Sequence, residues 1–309
     1  MLSSAEFNAT HAVHQLPGLT PPREYVVHAP QGWNGRSPLP VLVMIHGGGG
    51  TPRTAAFATG ASRAADERGF LVVYPAALPR DPRQPVSFLR NPTFWNVGSG
   101  FGHAERLRID DTAYIGAVLD DVERRYAIDR NRIYVAGFSN GAALALRVAV
   151  DLSERIRAVT AIAGHLWRRD RRPARPVPLL YIIGTADPIV PPAGGVVQGP
   201  WGSEYALPPV RETIELWAEW NGCAAAGRVS SPAAGVTLEE FDSADILPAS
   251  NFSMSGQNAR PTDAVVRFVT IEGAGHVWPG GPSVLNEKIS GPATDRVDAT
   301  AMMLEFFGL

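Results

Sequence analysis

The sequence predicts an α/β protein with a mainly parallel central sheet covered by helices on both faces. Short unbroken apolar runs such as Val41-Leu42-Val43-Met44-Ile45 suit strands buried on both faces. These runs alternate along most of the chain with segments of helical spacing, the pattern of strand, crossover helix and parallel strand. One turn, Gly137-Phe138-Ser139-Asn140-Gly141, stands between a strand-like run, Arg132 to Ala136, and a helical one, Ala142 to Val150. A serine on so sharp a strand-to-helix turn stands exposed at the carboxyl end of a sheet.

In chain order, residues 1–20 carry no clear periodicity and are expected to be irregular. Arg23 to Ala29, with Tyr25 and Val27 alternating, reads as a half-buried strand. Val41 to Ile45 follows and runs into His46 and four glycines. A helix is expected within Thr54 to Arg68, and the strand Phe70 to Tyr74 is stopped by Pro75. From Ile109 to Ala127, Tyr114, Ile115, Val118, Leu119 and Val122 recur at helical spacing, with Asp110 or Asp111 able to cap the start. Beyond the serine turn and its helix, strands are expected at Ile156 to Ala163, Val177 to Ile183 and Ala264 to Ile271. A last helix runs from Ala299 to Phe307, capped by Asp298. Gly194 to Pro209 and Ser230 to Arg260 lack periodicity and read as surface excursions. No repeat or composition break divides the 309 residues, so one domain over 1–309 is expected.

Composition narrows the function classes. A net charge of -2 offers no electrostatic case for nucleic acid or an anionic membrane. The only cysteine, Cys223, excludes an intramolecular disulfide and a cysteine-rich zinc site, and it reads as a structural thiol. The first twenty residues lack the basic start and apolar run of a signal peptide, and no segment is long and apolar enough to span a bilayer as a helix.

The chemistry-bearing residues fall in loops after strands. A serine hydroxyl is a poor nucleophile at neutral pH and needs a neighbouring base. Of the seven histidines, His276 in Gly273-Ala274-Gly275-His276-Val277-Trp278 comes after a strand and late in the chain, where the order serine, acid, histidine places the base. Between them Gly184-Thr185-Ala186-Asp187-Pro188 follows another strand, so Asp187 is the expected partner that fixes the imidazole tautomer. Asp111 precedes the serine and suits a helix cap or a sheet-end hydrogen bond better. For an oxyanion hole, the Asn140 amide follows the nucleophile, and Gly48 in His46-Gly47-Gly48-Gly49-Gly50 is the expected second donor. The same glycine run lacks the lysine and spacing of a phosphate loop. The His46 side chain is expected to brace its loop rather than to catalyse. Trp278 and Trp95 are expected to wall the substrate cleft, with bracing of their loops as the alternative reading, and the excursion carrying Trp201 and Tyr205 is expected either to roof the cleft or to form a surface patch.

Taken together these motifs resemble the polyhydroxybutyrate depolymerase-like esterases, relatives of bacterial feruloyl and acetylxylan esterases within the α/β-hydrolase fold. The resemblance covers roughly Arg23 to Phe307. It rests on His46-Gly47, Trp95-Asn96, Asp110-Asp111, the serine turn, Gly184 to Asp187 with Val190-Pro191 and Gly194-Gly195, Trp217 through Cys223, and Gly275 to Pro279. It implies a triad of Ser139, Asp187 and His276 and a serine carboxylesterase reaction through an acyl-enzyme, with no cofactor and no metal. The substrate it implies is a hydroxyalkanoate oligomer, a feruloyl or acetyl ester, or a polyester fragment. A serine peptidase on the same fold and a non-catalytic binding protein are the alternative readings, from enzyme and binding classes respectively.

Overall fold

The computed structural model describes residues 7, 9–19, 21–100, 102–199, 201–202, 204–242 and 265–309. Its strands are β1 (Ala12–Leu16), β2 (Arg23–His28), β3 (Leu39–Ile45), β4 (Leu71–Pro75), β5 (Ile128–Phe138), β6 (Ala158–Ile162), β7 (Leu179–Gly184), β8 (Gly195–Gln198), β9 (Glu204–Leu207), β10 (Arg228–Ala233), β11 (Val236–Phe241) and β12 (Val266–Ile271). Its helices are α1 (Pro52–Thr59), α2 (Ala61–Arg68), α3 (His103–Arg106), α4 (Asp111–Arg125), α5 (Asn140–Asp151), α6 (Val210–Trp220), α7 (Glu287–Ser290) and α8 (Ala299–Phe307).

Ten strands form one sheet in the order β1-β2-β4-β3-β5-β6-β7-β12-β11-β10. The centre, from β4 to β12, is parallel. Antiparallel pairs finish both edges. The parallel strands β3, β4, β6 and β7 are buried along nearly their whole length, which is why they read as continuous apolar runs. From β3 the chain steps to β4 on one side and then crosses back to β5 on the other. Such a reversal opens a crevice at the carboxyl ends of the two diverging strands. The glycine run leaves β3 and Ser139 leaves β5, so both enter that crevice.

The expected helices form where the sequence places them, with local chemistry setting their ends. The Asp110 carboxylate accepts from the Ala113 amide, and the Asp298 carboxylate from that of Ala301. The span Thr54 to Arg68, expected to hold one helix, holds most of two. Gly60 sits at φ 63°, a left-handed turn that ends α1 and starts α2.

Three expectations need correction. Residues 1–20 are not irregular throughout: Ala12–Leu16 pairs antiparallel with β2, Leu16 is buried, and the rings of His14 and Tyr25 lie 5.1 Å apart. The pairing is made to a strand outside the segment, so no periodicity within it could announce it. That added edge also makes β2 almost wholly buried rather than half-buried. Lastly, Ser230 to Phe241 is no loose excursion, since β10 and β11 extend the sheet edge through β12. The remainder of that stretch, 243–260, lies outside the described residues, as does Ala264 of the last expected strand. Gly194 to Pro209 does leave the main sheet, as the separate β8-β9 hairpin.

Candidate active site

Ser139 occupies φ 56° and ψ -124°, a conformation that non-glycine residues rarely adopt. The turn is forced by its surroundings. The Ser139 amide donates to the Ile162 carbonyl of β6 at 2.8 Å, and α5 starts at the next residue. Gly141 lies so close to the Ile45 and His46 carbonyls that any β-carbon would collide with them, which locks the serine turn against the glycine run.

His276 Nε2 lies 2.8 Å from Ser139 Oγ, and His276 Nδ1 lies 2.7 Å from Asp187 Oδ2. Asp187 has no acidic proton to donate when ionised, so Nδ1 carries the hydrogen and Nε2 is free to accept from the serine hydroxyl. The other carboxylate oxygen, Oδ1, accepts from the amides of Ile189 at 2.8 Å and Val190 at 2.7 Å. Buried and held by three donors, this carboxylate has one orientation. Two backbone bonds tie its loop to the histidine loop: Thr185 to the Ile271 carbonyl and Ala186 to that of Ala274. The arrangement can take a proton from the serine as it attacks and return it to a leaving group.

Within the glycine run, the Gly49 amide donates to the Thr93 carbonyl at 2.7 Å and Gly50 to that of Gly47 at 3.0 Å. Both are thereby committed, which leaves Gly48 and its neighbour Gly47, both lining the cleft with Asn140, as candidates for the second oxyanion donor. His46 is buried and its imidazole pKa is pushed down to about 4 by desolvation. Its Nε2 accepts from the Ala77 amide, so Nδ1 carries the proton and donates to the Gly47 carbonyl at 2.8 Å. His46 therefore braces the loop, as its position in sequence implied.

Trp95 does not wall the cleft. It is 2 % exposed and is absent from the cleft lining, because its polar atoms are used beneath the floor. The indole donates to the His46 carbonyl at 2.8 Å, and the Trp95 amide donates to Asn140 Oδ1 at 2.8 Å. Trp95 thus joins the glycine run to the residue that follows the serine. Asp111 lies one layer further down, accepting from Arg23 and from the Asn96 amide, each at 2.6 Å, and makes the sheet-end hydrogen bonds expected of it. Trp278 does line the cleft, but at 4 % exposure it is no exposed platform, and its indole donates to Thr300 Oγ1. Cys223 is half-buried and burial pushes its thiol up to about 11, which keeps it protonated.

Above this floor is a cleft of about 580 Å³ with predominantly apolar walls. Its roof comes from the loop before α3 and from the β8-β9 hairpin. The Trp201 ring lies 5.0 Å from Phe88 and 4.8 Å from Phe94, and its indole donates to the Phe88 carbonyl at 2.7 Å. Phe88, Phe94 and Trp201 together cover Gly48 and Gly49. Sequence reasoning anticipated Trp201 and Tyr205 but missed Phe88 and Phe94, which sit in a loop with no periodic signal. It also missed His165, another buried residue of the lining. A signal for it existed: Ala163-Gly164-His165 after β6 repeats the triplet Ala274-Gly275-His276 after β12.

Among the described residues, no helix is long and apolar enough to cross a membrane, and no cluster of three or more His, Cys, Asp or Glu is placed to hold a metal ion.

Known proteins bear on this geometry. A family model described as phospholipase/carboxylesterase matches residues 34–198, which include Ser139 and Asp187. The chain is 28% identical over 310 aligned positions to the putative esterase NocK of Nocardia uniformis subsp. tsuyamanensis, covering 90% of this chain and 77% of that protein. It is 26% identical over 215 positions to feruloyl esterase B of Piromyces equi, covering 68% of this chain and 38% of that protein. Among solved structures, an acetyl xylan esterase from Aspergillus awamori superposes with a TM-score of 0.59 at 15% identity, covering 96% of this chain and 99% of that one. At that identity the likeness speaks for the α/β-hydrolase fold.

Proposed function

Because the chain belongs to the phospholipase/carboxylesterase family and is a carboxylic ester hydrolase of the α/β-hydrolase fold, we propose that it works through an acyl-enzyme on Ser139. One observation carries this reading: Ser139 Oγ, His276 and Asp187 lie in continuous hydrogen-bond contact on the floor of a largely apolar cleft.

Ser139 Oγ attacks the ester carbonyl as His276 Nε2 takes its proton, and Asp187 stabilises the imidazolium that forms. The oxygen of the tetrahedral intermediate is held by the amides of Asn140 and Gly48, fixed in advance by Trp95 and His46. His276 then gives its proton to the departing alcohol oxygen, and the acyl group stays on Ser139. Water, deprotonated by the same imidazole, attacks the acyl-enzyme, and the acid leaves as Ser139 regains its proton.

The substrate in this reading is a small soluble ester that fits beneath the roof. The names of the relatives point to feruloyl and acetyl esters, and the resemblance in sequence adds hydroxyalkanoate oligomers. A roof of Phe88, Phe94 and Trp201 over Gly48 and Gly49 favours a single narrow chain over the face of a solid polymer. At equal enzyme concentration, turnover of a soluble short ester should exceed product release from a polyester film. Equal rates would overturn the preference for soluble substrate.

The decisive experiment is covalent. A fluorophosphonate should modify one serine per chain, with the label on the peptide that contains Ser139, and a nitrophenyl ester should give a burst of nitrophenol matching the enzyme concentration. A label elsewhere, or full turnover by Ser139→Ala, would overturn the assignment.

A further inference from the structure

One polar group in the cleft is left without a task by the ester chemistry. His165 is 2 % exposed and lines the same cleft as Ser139, yet neither ring nitrogen has a hydrogen-bond partner among the described residues. A buried polar group left unpaired is costly, and native interiors rarely keep one without a ligand, a water or a task. The backbone takes trouble to present it. The Ile162 carbonyl at the end of β6 holds the Ser139 amide, and the next residue, Ala163, turns through a left-handed φ of 52°. Tyr181 then clamps Gly164 from both sides, its hydroxyl donating to the Gly164 carbonyl at 2.7 Å and accepting from the Gly164 amide at 3.1 Å. His165 comes next, three residues from the carbonyl that pins the serine turn.

We propose that His165 is a specificity residue that hydrogen-bonds a neutral hydroxyl group of the substrate a few bonds from the scissile ester. The inference rests on the ester-hydrolase reading of the cleft and deepens it.

The chemistry of the surroundings selects the hydroxyl. Burial pushes the His165 imidazole down to about 4, so it is neutral at physiological pH, with one nitrogen donating and the other accepting. Arg169 is the largest charge acting on His165, but it is already paired with Glu212 at 2.6 Å, and the negative charges of Asp187 and Glu212 oppose it. A substrate carboxylate would find the Arg169 guanidinium already engaged by Glu212. A carbonyl could pair only with the protonated nitrogen. A hydroxyl both donates and accepts, and so pairs with whichever nitrogen faces the cleft. Phe138, Trp167 and Ile189 of the same lining present apolar surface.

The hydroxyl could belong to either half of the ester, and two matched pairs of substrates separate the sources. On the acyl side, nitrophenyl 3-hydroxybutyrate is compared with nitrophenyl butyrate. On the alcohol side, 2-hydroxyethyl butyrate is compared with ethyl butyrate. For one of the pairs, kcat/KM of the wild type should favour the hydroxylated member by roughly 5- to 10-fold, the worth of one neutral hydrogen bond. His165→Phe, of similar shape and without polar atoms, should bring that ratio to about 1, and His165→Gln, which keeps a donor and an acceptor, should retain part of it. A wild type with no preference in either pair overturns the proposal, as does a preference that survives in His165→Phe. In that event the ring is satisfied by an ordered water only. If the phenylalanine variant fails to fold, His165→Gln decides: a ratio reduced from that of the wild type in a variant of intact structure supports the proposal, and a ratio equal to that of the wild type overturns it. Loss of the esterase reading would look different, since the wild type would then hydrolyse none of the four esters.

Discussion

The floor of the cleft is held by backbone amides and carbonyls at the ends of four parallel strands, whereas its roof is held by aromatic side chains on connecting loops. On the floor, β3, β5, β7 and β12 deliver the glycine run, Ser139, Asp187 and His276, and the loops between them are bonded to one another. In the roof, Trp201 packs tilted against Phe88 and edge-on against Phe94, with one indole bond. Hydrogen-bond geometry tolerates errors of tenths of an ångström, while ring packing can be exchanged for other apolar groups of similar volume. In the proposed mechanism this difference assigns the reaction to the floor and substrate choice to the roof and walls.

Substitutions in the two regions should differ in kind as well as size. The largest effect belongs to Ser139→Ala, which should lower kcat for short nitrophenyl esters by at least about 10⁴-fold while the far-UV spectrum and melting midpoint stay those of the wild type. Next comes Asp187→Asn, expected to cost roughly 10³- to 10⁴-fold in kcat by presenting the wrong imidazole tautomer. If Asp111→Asn were the crippling change and Asp187→Asn the mild one, the acid of the floor would be misassigned.

Trp95→Phe tests whether the floor extends below the reacting atoms. It keeps the ring but leaves the His46 carbonyl without its donor, and kcat should fall about 10-fold with KM little changed. Rising KM at constant kcat would instead return Trp95 to the substrate. Trp201→Ala tests the roof. Losing about 1 kcal/mol of apolar contact should raise KM roughly 5-fold and alter the ranking of acyl chains, with kcat nearly intact. An equal loss for every substrate would mean that Trp201 supports the glycine run rather than selecting the acyl group.

The smallest effect concerns pH. His46 and His165 titrate near 4 in the folded chain because burial penalises their charged forms. In the unfolded chain they take up protons near 6.5. Between those values the unfolded state holds more protons, so stability is complete above about pH 6.5 and is lost as pH falls toward 4. The melting midpoint should therefore drop by several degrees over that window, and His165→Phe should flatten part of the slope. A midpoint independent of pH between 6.5 and 4 would mean that burial lowers neither imidazole.

How much of this was legible in the chain depended on the range of the forces involved. The serine turn announced itself because strand, turn and helix are neighbours in sequence, and Asp110 and Asp298 caps are local for the same reason. Asp187 and His276 were found by their places after apolar runs and by their order relative to Ser139. For Trp95 the sequence left two readings open, cleft wall and loop brace, since an indole near a candidate site looks the same in sequence whether it faces substrate or, as here, the His46 carbonyl. The β1 and β10-β11 edges were missed because their hydrogen bonds are made to other strands and leave weak periodicity behind.

By itself, then, the sequence determined the parallel core and the strand-end positions of Ser139, Asp187 and His276, since continuous apolar runs and glycine-flanked turns are properties of neighbouring residues. Only the tertiary structure decided what faces the substrate. Which of two Ala-Gly-His triplets meets the serine, which tryptophan lies under the floor and which roofs the cleft, and that His165 is buried in the wall all depend on contacts between segments far apart in the chain. Burial and hydrogen-bond partners exist only once those segments are packed.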